Sequence, residues 1–381
     1  MKERCSLRGC AVGVLAVSLA MSCVARDDAE EASLAAAASG KPDLIVQGRR
    51  YVWLRKTPLV EGLVPHRPIE KDPSAEQSQP RPTAEQLAEA LRAHSFIGED
   101  EYVQAEPDIE LARSLLDGTA PYWPTEAYEP AAAQSSNNSG DIEERRGAYI
   151  FGADNRVRVG CDRMNWPSST KGYWSSGCSM TMIGPHTGAI AAHCVYQPGV
   201  GLYANRVFVP ARDDPAGYPA CPLYDPFGQF GHLPGHGISI HVPSAWANNG
   251  DWNYDYAVLD FWDNPGNVVG WVGTQHPWAA LLDTRMEGYP ADKSPWASFW
   301  RETGTVDCYS NPCNSTNPRL RHLLDTYDVQ SGSGLIYRPS TQLYGIHSSE
   351  NYWCFWSCSY WNEASSWTTT VFNFFHLFNW P

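Results

Sequence analysis

From Gly147 onward the chain is written in short β-branched and aromatic runs, each closed off by Gly, Pro, Asn or Asp. Val207–Pro210, Gly237–Val242, Ala257–Phe261, Leu335–Tyr337 and Leu343–Ile346 are typical. Many short strands with frequent turn signals predict an all-β barrel or sandwich. The segment Ser366–Asn379 breaks this texture. It places Val371, Phe374, Phe375 and Phe378 on one helical face, so a closing helix is expected there.

Two residue types mark the same boundary. Fourteen of the 16 tryptophans follow residue 147, and so do eight of the 11 cysteines, the first of them Cys161. An even set of cysteines behind an export signal reads as a disulfide framework. Zinc is the alternative, because Cys308/Cys313 and Cys354/Cys358 are spaced loosely like ligand pairs. The packed core is therefore expected in residues 147–381.

Upstream, residues 1–25 have the form of an export signal: Lys2, Arg4 and Arg8, then the apolar run Ala11–Met21. Secretion is expected, with membrane attachment only if Cys23 carries a lipid, since Leu19-Ala-Met-Ser-Cys23 resembles a lipoprotein box with its leucine one place too far upstream. Residues 26–146 are rich in Ala, Glu, Gln and Pro. They read as a partly helical or disordered pro-segment and linker, with a strand at Leu44–Leu54 and helices at Thr83–His94 and Glu106–Leu116. A disordered stalk is the alternative for this segment. The formal charge of −14, with no Lys/Arg-rich run, argues against nucleic acid or an anionic membrane as the main partner.

Three stretches carry candidate chemistry. Asp325-Thr-Tyr-Asp-Val-Gln-Ser-Gly-Ser-Gly334 sets a serine between glycines on a tight turn, where backbone amides can face a substrate. Gly188-Ala-Ile-Ala-Ala-His-Cys194 offers a histidine, and Asn253–Phe261 offers an aspartate opening an apolar run. Serine is a poor nucleophile until a base takes its proton and donors meet the developing oxyanion. The order His193, Asp255, Ser331 is one of the known triad orders.

With these blocks the sequence resembles the trypsin/chymotrypsin-like serine peptidases, and within them the bacterial glutamyl-endopeptidase (V8-like) branch. The resemblance is carried by Ile150–Val159, Ser176–Pro185, Ala191–Cys194, Tyr254–Leu259, Asp325–Gly334, Gly345-Ile-His347 and the closing helix, and it covers residues 149–381. It implies two six-stranded antiparallel β-barrels with a C-terminal helix and the site between them. It further implies His193 as general base, Asp255 orienting it, Ser331 as nucleophile, and the amides of Val329 and Ser331 as the oxyanion hole. Ser333 and Asp260 are the neighbours that compete for two of these roles. Cys178 and Cys194 match the disulfide beside the histidine, while Thr326 and His347 correspond to the residues that hold a substrate glutamate.

The expected protein is thus a secreted, zymogen-type serine endopeptidase, organised as signal (1–25), pro-segment (26–146) and peptidase domain (147–381). It would act on proteins or peptides, after Glu or Asp, as a monomer with neither cofactor nor metal. Val329 departs from the pattern, for glycine is usual there and a β-branched side chain restricts the backbone. A catalytically weak or inactive scaffold that binds proteins is accordingly the alternative, and the aromatic stretch Tyr352–Trp361 would serve it. The insert between His193 and Asp255 holds His232, His236 and His241, for which a surface loop is expected over a metal site.

Overall fold

The computed structural model describes residues 40–64, the backbone of 69–70, and residues 81–122, 124–130, 150–214, 224–231, 237–276, 281–308, 319–354 and 358–378. Residues 1–25, expected to be a signal, the expected linker 131–140 with the junction 141–146, His232, His236 and five of the cysteines (Cys5, Cys10, Cys23, Cys221 and Cys313) lie outside the described residues.

Six antiparallel strands close on themselves in the C-terminal half. Leu281–Gly288 pairs with Trp300–Cys308, which pairs with Arg319–His322, then Cys358–Ser366, Gln342–Cys354 and Gly334–Tyr337, and the last returns to Leu281–Gly288. Their inward positions supply Leu282, Met286, Val306, Leu320, Leu335, Tyr344 and Ala364 as a packed core. Closure leaves no edge strand exposed.

The N-terminal half is an eleven-stranded sheet. Its middle six strands run Ile238–Pro243, Ala257–Phe261, Thr187–Ile190, Cys178–Met182, Lys171–Trp174, Val207–Pro210. The fold class is the expected all-β one, with a closed six-stranded barrel and a C-terminal helix, and the second sheet has eleven strands rather than six. The difference lies at the Ile238–Pro243 edge, where the upstream segment adds four strands: Ala93–Ile97, Asp100–Gln104, Arg49–Lys56 and Leu44–Val46.

The described residues of 40–122 therefore form strands and helices that join the downstream sheet. The expected strand and two helices form in this segment, and composition left a disordered stalk as the alternative because the segment has too few apolar residues for a core of its own. Its Tyr51, Phe96 and Tyr102 are buried in the same cluster as Tyr196, Trp246 and Phe378 of the downstream half, and Phe96 stacks on Tyr196 at 5.0 Å. The helix Ala84–Leu91 forms where expected, with Thr83 and Gln86 making a reciprocal cap. The next helix starts at Ile109 rather than Glu106 because Asp108 Oδ1 accepts from the Leu111 amide and fixes the start. The closing helix starts at Thr369, capped by Thr368, because residues up to Ser366 are still barrel strand.

Candidate active site

The sheet register brings the histidine and the aspartate together. Thr187–Ile190 pairs with Ala257–Phe261 so that Ile190 faces Ala257. Three residues beyond that pair on one strand is His193, in the tight turn Ala192–Cys194; two residues before it on the other is Asp255, ending the turn Trp252–Tyr254. His193 Nδ1 lies 2.8 Å from Asp255 Oδ2, and the His193 amide donates to Oδ1 at 2.8 Å. Trp252 and Trp246 pack against the imidazole, with centroids at 5.6 and 6.4 Å. The Cys178–Cys194 disulfide anchors the turn from behind.

Asp255 is fully buried. Burial alone would raise its carboxyl, but the His193 charge and hydrogen bonds from His193 and Ser348 outweigh it and hold the pKa below the usual carboxylate range. Asp260, the competing aspartate, is partly exposed and lies 2.8 Å from His186 Nδ1 instead.

Ser331 sits on the turn that enters Gly334–Tyr337. Its hydroxyl is partly exposed and donates to the Ser348 carbonyl at 3.3 Å. Ser333, the competing serine, is fully buried. Gly332 is required at φ +87°, since a Cβ there would meet the Ser179 carbonyl oxygen at 2.0 Å. Around the turn the amides of Gln330, Gly332 and Ser333 donate to Tyr327, His347 and Gln330 carbonyls. Among the described residues no backbone carbonyl accepts from the amides of Val329 or Ser331. Val329 holds φ +78°, a left-handed conformation that a β-branched residue rarely adopts, while Ser179 Oγ clamps its carbonyl at 2.9 Å.

The two residues expected to receive a substrate glutamate are both buried and both engaged. Thr326 Oγ1 donates to Glu350 Oε1 at 3.2 Å, and His347 Nδ1 is 3.3 Å from His322 Nε2. Burial pushes His322 down to about 3, so that ring is neutral. Burial and the Asp328 charge push Glu350 up to about 8 against the pull of the Thr326 hydrogen bond.

Sequence reasoning gave no role in the site to Glu350 or Arg319, nor to Ser348 as a partner of Asp255. Ser348 donates its hydroxyl to Asp255 Oδ2. Arg319 is buried, pairs with Glu363 at 2.8 Å and donates to Ser348 and Ser349. The signal for Ser348 and Glu350 was polar residues persisting in the strand that holds His347, whereas Arg319 lies in the separate strand Arg319–His322. Cys178, His193 and Cys194 cluster closely, but the two sulfurs are bonded to each other and offer a metal no thiolate. Cys161 is disulfide-bonded as well. Cys354 and Cys358 face each other in the hairpin register, and the side chains of both, with that of Cys308, are outside the described residues.

No protein-family model matches the chain. It is 26% identical over 287 residues to the glutamyl endopeptidase of Bacillus licheniformis, covering 73% of this chain and 76% of that protein. It is 27% identical over 212 residues to a Bacillus subtilis protein named extracellular metalloprotease, covering 52% and 60%. A solved Glu endopeptidase in complex with MPD matches 60% of this chain and 98% of its own at 22% identity, with a TM-score of 0.48. The chain is a serine endopeptidase, and it is similar to the trypsin/chymotrypsin-like class. Within that class it is a homologue of the glutamyl, V8-like branch.

Proposed function

We propose that this is an exported endopeptidase that hydrolyses peptide bonds through an acyl-enzyme, with Ser331 as nucleophile, His193 as general base and acid, and Asp255 orienting the imidazole. The observation that carries the reading is the two-point clamp of Asp255 on His193, through the ring Nδ1 and through the amide. The clamp fixes the tautomer that leaves Nε2 for a hydroxyl, and the buried carboxylate stabilises the imidazolium that forms on acylation. The uncommitted amides of Val329 and Ser331 supply donors for the tetrahedral oxyanion. That pair of donors counts against the inactive binding scaffold. Residues 1–25 would direct export, and residues 26–146 would be removed on maturation of 147–381.

Similarity to the Bacillus enzyme supports cleavage after Glu or Asp, with Thr326 and His347 as the donors. The hydrogen bond from Thr326 to Glu350 favours a second reading, a substrate side chain that itself ends in donors. The test of the activity is covalent labelling with a fluorophosphonate. Labelling that persists in Ser331→Ala, or is absent from the mature wild type between about pH 6 and 9, a range that spans the histidine titration, would sink the proposal.

A further inference from the structure

Two glycines of the peptidase part make room for the backbone of the upstream segment. Gly273 lies in a strand, with no left-handed conformation to demand a glycine. A Cβ there would stand 2.3 Å from the Thr125 carbonyl oxygen and 3.1 Å from the Ala127 nitrogen. A Cβ on Gly201 would stand 2.1 Å from the Pro58 carbonyl oxygen. Arg206, which is buried, likewise donates to the Gly98 carbonyl at 2.8 Å. The peptidase sequence thus carries the imprint of the upstream backbone at three separate places.

The backbone joins are as widely spread. Leu59–Val60 pairs with Leu202 and Tyr203, and Ala93–Ile97 pairs with Ser239–Pro243. Thr125 and Tyr128 exchange backbone hydrogen bonds with Thr274 and Trp271, and Tyr128 stacks on Trp271 at 4.4 Å. Without these partners Ile238–Pro243 would be an open edge strand uncovering Ile240 and Val242, a template for aggregation. The same segment also underlies the candidate base. Phe96 stacks on Tyr196, the Tyr196 carbonyl accepts from Trp246 Nε1 at 3.1 Å, and Trp246 packs on His193.

We infer that residues 40–130 are a retained second chain of the mature enzyme, which stays docked on the peptidase part after the linker is cut. The inference rests on the reading that maturation cuts the chain ahead of Gly147. It narrows what maturation removes, since the covalent link goes and the docked segment stays. The partner of this surface is a segment of the same polypeptide, held by strand addition as a separate peptide would be. Its release requires several strand pairs to open together, so the two chains should part only as the protein unfolds.

The experiment uses the full chain with the recognition sequence of a site-specific protease in place of residues 141–146, so that the cut does not depend on self-processing. The cut protein is passed through size exclusion in native buffer, and each fraction is weighed by native mass spectrometry. The expected result is one species holding both chains, which separates only in unfolding urea and is labelled by a fluorophosphonate while both are present. Gly201→Ala and Gly273→Ala, which each push a Cβ into the docked backbone, should shed the upstream chain at lower urea. Separate elution in native buffer, labelling confined to a species that has shed 40–130, or release from both variants at the parent's urea concentration overturns the inference. Failure of labelling in every fraction strikes the nucleophile assignment alone, because co-elution is read without it.

Discussion

Ser348 donates its hydroxyl to the Asp255 carboxylate and accepts the Ser331 hydroxyl on its carbonyl, 3.3 Å away. One residue of the C-terminal barrel thus touches both the group that orients the candidate base and the candidate nucleophile. Ser348→Ala removes one of the hydrogen bonds that keep Asp255 ionised despite full burial. A hydrogen bond to a buried charge is worth roughly 1.5–3 kcal/mol. The expected result is about a 10-fold loss of kcat with little change in KM. The acid limb of the kcat/KM profile should move as well, which a merely structural serine would not cause.

Ser331→Ala should abolish fluorophosphonate labelling, whereas Ser333→Ala should leave it intact because Ser333 is buried away from any substrate. Asp255→Asn should keep the fold and lower kcat by about 10⁴-fold, since an amide facing Nδ1 selects the wrong tautomer. Comparable rates for Asp255→Asn and the parent would remove the aspartate from the mechanism.

Much of this arrangement was legible in the sequence because it is local. Ser331 with its glycines, His193 beside Cys194, and Asp255 opening an apolar strand are each readable within ten residues. The preference for Ser331 over Ser333 and for Asp255 over Asp260 rested on the resemblance, and the burial and hydrogen bonding that bear on it depend on distant strands. What was not legible is long-range. Glu350 reaches Thr326 across 24 residues, and nothing in either neighbourhood announces it. The order of the upstream segment was hidden for the same reason. Phe96 and Tyr102 look like isolated apolar residues until Ile238–Pro243 gives them a surface to cover.

Val329 tests how backbone strain and packing balance. Its φ of +78° costs on the order of 1–3 kcal/mol for a non-glycine residue. Its isopropyl group packs against the cluster of Val159, Tyr173, Tyr289 and Phe299, which returns about 1–2 kcal/mol. Val329→Gly loses the packing, relieves the strain and adds unfolded-state entropy, so it should be nearly neutral. Val329→Ala loses packing and keeps most of the strain, so it should be the least stable of the three, by about 1 kcal/mol. Urea denaturation of the three proteins gives the order directly. A monotonic decline from Val through Ala to Gly would show that strain at this turn is negligible.

His241 couples pH to the join between the upstream strands and the rest of the sheet. It lies in Ile238–Pro243, the strand that pairs with Ala93–Ile97. Its Nδ1 is 2.8 Å from Ser95 Oγ, and its ring stacks on Phe378 at 3.8 Å. Burial pushes its pKa down to about 4, with the Asp260 charge opposing only in part. In the fold the ring is neutral at pH 7, whereas in the unfolded chain it takes a proton near 6.5. Its contribution is therefore complete above about pH 6.5 and is lost as pH falls from there toward 4, a change on the order of 3 kcal/mol. His322 follows the same sign inside the C-terminal barrel, so the global melting temperature falls on acidification for two reasons. The local effect is separable by limited proteolysis of the full chain. Cleavage within 40–122 should accelerate between pH 6.5 and 4.5, and His241→Phe, which cannot take a proton, should flatten that rise while His322→Phe does not. Proteolysis of 40–122 that is equally pH-dependent in His241→Phe would place the acid sensitivity elsewhere, with His94 and Glu101, 2.7 Å apart in the same added strands, the next pair to test.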